Sequence, residues 1–177
     1  MPAYVALLRG IAPTNPKMRN AELVKVFESL GHDRVRAVIS SGNVLFESPG
    51  RSRAKLESSI EAALLDHLGA PCSTIVRSRA QIGSLLDLDV FDAYDDGPTA
   101  RCNVTFLKDR DAGEDDLPRA GPGWEVLAIR DQAVFSVIDT SAAKTPALMA
   151  DLEKTYGKRI TTRTWKTVHR IRTAFAR

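Results

Sequence analysis

The chain has 177 residues, 44% hydrophobic and 27% charged, with a formal net charge of +3. That length suits one domain or two small ones with a core of their own, and the composition argues against long disorder. No apolar run approaches the roughly 20 residues of a membrane-spanning helix, and the opening Met1-Pro2-Ala3-Tyr4 lacks a basic leader, so a cytoplasmic protein without a signal peptide is expected.

In chain order, residues 4–8 form a continuously apolar run that suits a strand buried on both faces. The proline-bearing loop 11–17 ends it. Asn20 is placed to cap a helix carrying Leu23, Val26, Phe27 and Leu30, with Gly31 after its last turn. Residues 35–39 and 44–46 read as a hairpin turned by Ser40-Ser41-Gly42-Asn43, in which Gly42 and Asn43 supply positive φ angles. Ser52 opens a second helix with Leu56, Ile60, Ala63, Leu64 and Leu68 on one face, and Gly69 stops it. Residues 72–76 complete a βαββαβ order, the ferredoxin-like pattern.

The rest is less regular. Ala80, Ile82, Leu85 and Leu86 predict a short helix, and an acidic loop follows over residues 92–99. Residues 102–106 alternate as a strand, 109–123 are acidic and turn-rich, and 124–129 with 133–138 make a hairpin. Thr145-Pro146 begins a helix with Leu148, Met149, Leu152 and Tyr156 inward, and residues 160–162 precede a last helix over 165–175. The expected class is therefore α+β, with a ferredoxin-like half over 1–78 and a second, less regular half over 79–177 ending in a basic helix. The first half's sheet is expected to be covered on both faces. Cys72 and Cys102, far apart in apolar segments, read as buried reduced thiols.

Several of these segments resemble one bacterial family. Tyr4-Val5-Ala6-Leu7-Leu8-Arg9-Gly10-Ile11, then Phe27-Glu28-Ser29-Leu30-Gly31, Ser41-Gly42-Asn43-Val44-Leu45-Phe46 and the closing Thr161-Thr162-Arg163-Thr164-Trp165-Lys166-Thr167-Val168 are similar to the domain of unknown function 1697 (DUF1697) family. The resemblance implies a compact α+β protein and no reaction. It departs in two places. The family's glycine-rich loop after the first strand is here Ala12-Pro13-Thr14-Asn15-Pro16-Lys17, and its Arg-Asn-Trp is Arg163-Thr164-Trp165.

Chemistry-bearing signatures are sparse. His32, His67 and His169 make no metal-binding spacing, and no nucleophile elbow, phosphate loop or dinucleotide fingerprint is present, so no catalytic residue, metal or cofactor is assigned. Charge is unevenly distributed: acids crowd residues 87–116, whereas residues 154–177 carry only basic ones. On a helical wheel Trp165, Val168, Ile171 and Phe175 form an apolar stripe opposite Arg163, Lys166, Arg170 and Arg177. Thr162, Arg163, Thr164 and Lys166, at the helix start, are an expected anion site, because backbone N–H groups there lack helical partners. The alternative is a threonine cap followed by a solvated basic face. Arg9, at a strand end beside Ser41 and Asn43, is a second expected ligand group; the alternative is a surface ion pair beside ordinary turn chemistry.

Three function classes stay open: a module binding a phosphate-bearing or other anionic ligand, such as a nucleotide or nucleic acid; an enzyme acting on a small anionic substrate; and a protein-interaction domain. No membrane partner is expected, and nothing in the sequence sets the oligomeric state.

Overall fold

A computed structural model describes residues 1–40, 42–109, 117–142 and 145–177, without the side chains of Thr145 and Pro146. Ser41, the acids within 110–116 and the Thr145-Pro146 cap expected from sequence lie outside that description. The class is α+β, with five helices and two antiparallel sheets among the described residues. No described helix is long and apolar enough to cross a membrane. The chain divides into two compact units, Met1–Gly83 with Arg170–Arg177, and Ser84–His169.

The first unit contains β1 (Ala3–Leu8), α1 (Asn20–Ser29), β2 (Asp33–Ala37), β3 (Asn43–Glu47), α2 (Arg53–Leu68), β4 (Thr74–Ser78) and most of α3 (Arg79–Leu86). The sheet order is β2-β3-β1-β4, so each βαβ unit has a strand of the other between its two strands. Alternate residues face opposite sides. Tyr4, Ala6, Leu8, Val44, Phe46 and Val76 face one core with Leu23, Phe27, Ile60 and Leu64 of α1 and α2. On the other side Val5, Leu7, Leu45 and Ile75 are also buried, at 2% exposure or less. Two-sided burial explains why β1 reads as an unbroken apolar run.

Local chemistry differs from expectation at two points, the start of α1 and the β2–β3 turn. Asn20 lies inside α1 rather than capping it; Arg19 holds the cap position and its carbonyl accepts from the Leu23 N–H at 3.0 Å. At the other end Gly31, φ 74°, donates to the Glu28 carbonyl at 2.9 Å and His32 to that of Phe27 at 3.4 Å, closing the helix with two crossed bonds. In the β2–β3 turn, positive φ falls on Gly42 (74°) and Ile39 (62°), not on Asn43. Gly42 is obligatory for space as well, since a Cβ there would stand 2.6 Å from Ile11 Cγ1.

The second unit holds β5 (Ala100–Leu107), β6 (Arg119–Gly121), β7 (Trp124–Arg130), β8 (Ala133–Asp139), α4 (Thr145–Tyr156) and β9 (Ile160–Thr164), ordered β6-β7-β8-β5-β9. The β7–β8 turn uses Asp131 and Gln132 at φ 49° and 60°, a two-residue connection matched to strand twist. Leu148 and Leu152 of α4 bury against Val126, Val134 and Ile138. α5 (Trp165–Ala174) begins in this unit and ends in the first. Both cysteines are free and buried, and burial pushes the Cys102 thiol up to about 11.

Candidate anion-binding site

The residues expected from sequence fall into two groups. At one end of the first sheet, the Leu8 N–H donates to the Gly42 carbonyl at 2.8 Å, which sets the end of β1 beside the β2–β3 turn. Arg9 is half-buried there; its N–H donates to Ser73 O at 2.9 Å and its carbonyl accepts from Cys72 Sγ at 3.4 Å. Asn43 is fully buried, and its Nδ2 donates to the Val38 carbonyl at 3.0 Å, so this amide closes its own hairpin.

The second group lies at the β9–α5 junction. Thr164 caps α5: its Oγ1 accepts from the Thr167 N–H at 3.2 Å and shares a bond with Thr167 Oγ1 at 2.9 Å. Thr162 Oγ1 pairs with Thr105 Oγ1 at 2.7 Å across β5 and β9. Arg163 stands on β9, opposite Val104, rather than on the helix. Its Nη1 donates to Thr161 Oγ1 and to the Thr162 carbonyl, both at 2.8 Å. The hydroxyls and guanidinium expected to hold an anion thus bond to neighbouring protein groups, while Lys166 is exposed. Trp165 anchors the junction, with its ring 5.0 Å from Phe91 and 6.1 Å from Phe135.

A different set of cations converges in the first unit. Arg34 and Arg36 of β2, Glu47 of β3, and Phe175 and Arg177 after α5 line a cavity of about 490 Å³. The register pairs Arg36 with Leu45, so Arg36 emerges on the sheet face away from α1 and α2. The pairing slips between Asp33 and Arg36, and Arg34 within that bulge has φ 47°, a conformation uncommon outside glycine. Arg36 donates through Nη2 to the Ala174 carbonyl, and its Nε is shut off from water with no hydrogen-bond partner among the described residues. The acid present balances little of this charge: Glu47 lies 3.9 Å from Arg34 Nε, and that arginine's side chain is 81% exposed. Neither Arg34 nor Arg36 is among the ligand groups expected from sequence. Their signal was the i, i+2 spacing of Arg34 and Arg36 beside the apolar Val35 in a strand next to Leu45.

The family model described as protein of unknown function, DUF1697, matches residues 1–135. Among curated proteins, none matches. A solved structure of the conserved bacterial protein SP0830 from Streptococcus pneumoniae is similar to this chain at a TM-score of 0.73 and 22% identity, over 100% of this chain and 99% of that one. At that identity the likeness is one of fold.

Proposed function

This chain belongs to the DUF1697 family of proteins of unknown function, and within it we propose that the protein is a binding module for a phosphate-bearing anion, held at the arginine-lined cavity beside the end of α5. The observation that carries the reading is Arg36. Arg36 lines the cavity together with Arg34 and Arg177, and its Nε is a buried guanidinium donor without an acceptor among the described residues. An unmet donor of that kind costs about 1–3 kcal/mol, and more when charged, so turning the guanidinium toward an oxyanion in the cavity recovers what the fold forgoes. Guanidinium groups suit this ligand because their fixed fork of donors matches two phosphate oxygens at once. A volume near 490 Å³ is also within the span of small-molecule sites.

The β9–α5 junction, through Lys166 and Arg163 with Thr162 and Thr164, is a second and separate candidate site, and Arg9 with Ser41 and Asn43 is a third. For Arg163 to serve, an anion must displace the two oxygens it now holds at 2.8 Å. Thermal unfolding with inorganic phosphate or a mononucleotide, at constant ionic strength, separates these contacts. A ligand at a hundred times its dissociation constant stabilises by about 2.7 kcal/mol. Wild type is expected to show that shift, Arg36→Ala to lose it, and Arg163→Ala to keep it. Thr164→Ala should lower the baseline by about 1 kcal/mol through loss of the cap, with the phosphate shift unchanged. Retention in Arg36→Ala with loss in Arg163→Ala would move the site to the junction, and no shift in wild type would remove the reading.

A further inference from the structure

Resting on that anion-binding reading, we infer that the ligand is a single-stranded nucleic acid whose backbone crosses the last turn of α5 and reaches a second basic cavity. That second cavity, about 800 Å³, is lined by Arg79 of α3, Arg172 and Thr173 of α5, and Ser78 at the end of β4, with no acid in its wall among the described residues. Small residues, Ala3 and Gly83 among them, leave room close to the backbone. The two cavities adjoin: Ala3 lines both, and α5 supplies Arg172 and Thr173 to one while the residues just after it, Phe175 and Arg177, line the other.

The helix dipole explains part of this charge, since cations near a helix C-terminus are stabilising. It accounts for Arg172 and Arg177. The same pull fits Arg36, which bonds the Ala174 carbonyl at the helix end, but not Arg34 and Arg79, which come from β2 and α3 and line the cavities beside that end of α5. Size then selects the ligand. A helix with its side chains is about 10–12 Å across, too wide for one phosphate to reach arginines on both flanks. A single strand that keeps the stacked spacing of one duplex strand, about 3.4 Å per nucleotide, covers that width in about three or four nucleotides, and an extended one in fewer. Phe175, half-buried in the wall of the first cavity, adds an aromatic surface of the kind on which bases stack.

The test is fluorescence anisotropy of a labelled oligothymidylate of about ten nucleotides, a length in the range covered by small single-strand modules. It is run at 50 and 200 mM salt beside the mononucleotide unfolding assay. Each phosphate neutralised on a single strand contributes about −0.7 to the log–log salt slope, so four contacts weaken binding about 50-fold across that range. Arg79→Ala/Arg172→Ala is expected to reduce the loss to about 7-fold, because two contacts remain. The same double variant should keep the mononucleotide shift that Arg36→Ala removes. If the mononucleotide stabilises but the oligonucleotide binds no tighter, or if the double variant keeps the full salt slope, this inference fails and the anion site stands. If poly-glutamate of equal charge competes as well as the oligonucleotide, the surface is not one for nucleic acid. If neither nucleotide nor oligonucleotide binds, both readings fail.

Discussion

His32 is held where α1 turns into β2, with its ring centre 4.6 Å from that of Phe46 and 6.2 Å from that of Phe27. Burial among these rings lowers its pKa, with Asp33 opposing, and its Nε2 is buried without a hydrogen-bond partner among the described residues. The sign follows from linkage. A folded-state pKa below the unfolded value means that the unfolded chain binds the proton more readily. Stability from neutral His32 is therefore present above the unfolded value of about 6.5 and is lost as pH falls through the folded one. The urea midpoint is expected to fall from pH 7 to pH 5, and His32→Phe should flatten that fall. An identical pH profile in the variant would show that the ring does not contribute. The sequence showed His32 only as the residue after a helix stop. Its environment comes from Phe46, which the β2–β3 hairpin folds back beside it. The β2–β3 turn carries the same lesson. Gly42 was legible as a positive-φ residue, but Ile39 was not, since a β-branched side chain resists that conformation and only the surrounding hairpin imposes it.

The elements themselves were largely legible in the first unit, because α1 and α2 keep a 3.6-residue apolar period and glycines mark their ends. What the period conceals is the use made of the polar face. β4 is an edge strand, and its alternate N–H groups are met by side chains instead of another strand. Thr74 N donates to Glu61 Oε1 at 2.8 Å, Val76 N to Glu57 Oε1 at 2.8 Å, and Ser78 N to Gln81 Oε1 at 2.9 Å. Glu57 and Glu61 stand one helical turn apart on α2, so their spacing reaches every second strand residue. Covered in this way, the edge offers less for another chain to pair with. Glu57→Ala and Glu61→Ala should each cost about 1–3 kcal/mol, since each leaves a strand donor unmet. Glu57→Gln, which keeps an oxygen acceptor, should cost less. Urea unfolding measures the difference; equal losses for Ala and Gln would show that the carboxylate charge, rather than the bond, matters. The second unit was harder to read. β6 is only three residues, Arg119–Gly121, too short for its alternation to register, and Arg163 was placed on the helix because nothing local marks the passage from β9 to α5.

At the scale of the whole chain, the first unit is completed by its last residues: Arg170–Arg177 return to it after the second unit has been built. The Arg36 bond to the Ala174 carbonyl joins positions 138 apart in sequence. The apolar stripe of α5 was visible as a period, and Val168 and Ile171 are indeed fully buried. A stripe shows that a helix packs but not what it packs on, so the return to the first unit could not be read in advance. A chain ending at His169 should therefore weaken residues distant from the cut. It loses the fully buried Ile171, whose truncation to alanine alone costs about 2–5 kcal/mol, a large part of a typical domain stability of about 5–15 kcal/mol. It also releases the Arg36 guanidinium from its carbonyl partner. Hydrogen exchange reads the result strand by strand: β2 and β3 of the shortened chain should lose protection, while Ile171→Ala in the full chain reproduces part of the loss. Arg36→Ala in the full chain should loosen β2 without that general loss, because it removes the bond and keeps the buried stripe. Unchanged protection of β2 and β3 in the shortened chain would show that the first unit stands without its terminal segment, and the cavity beside α5 would then be an accessory to the fold rather than a part of it.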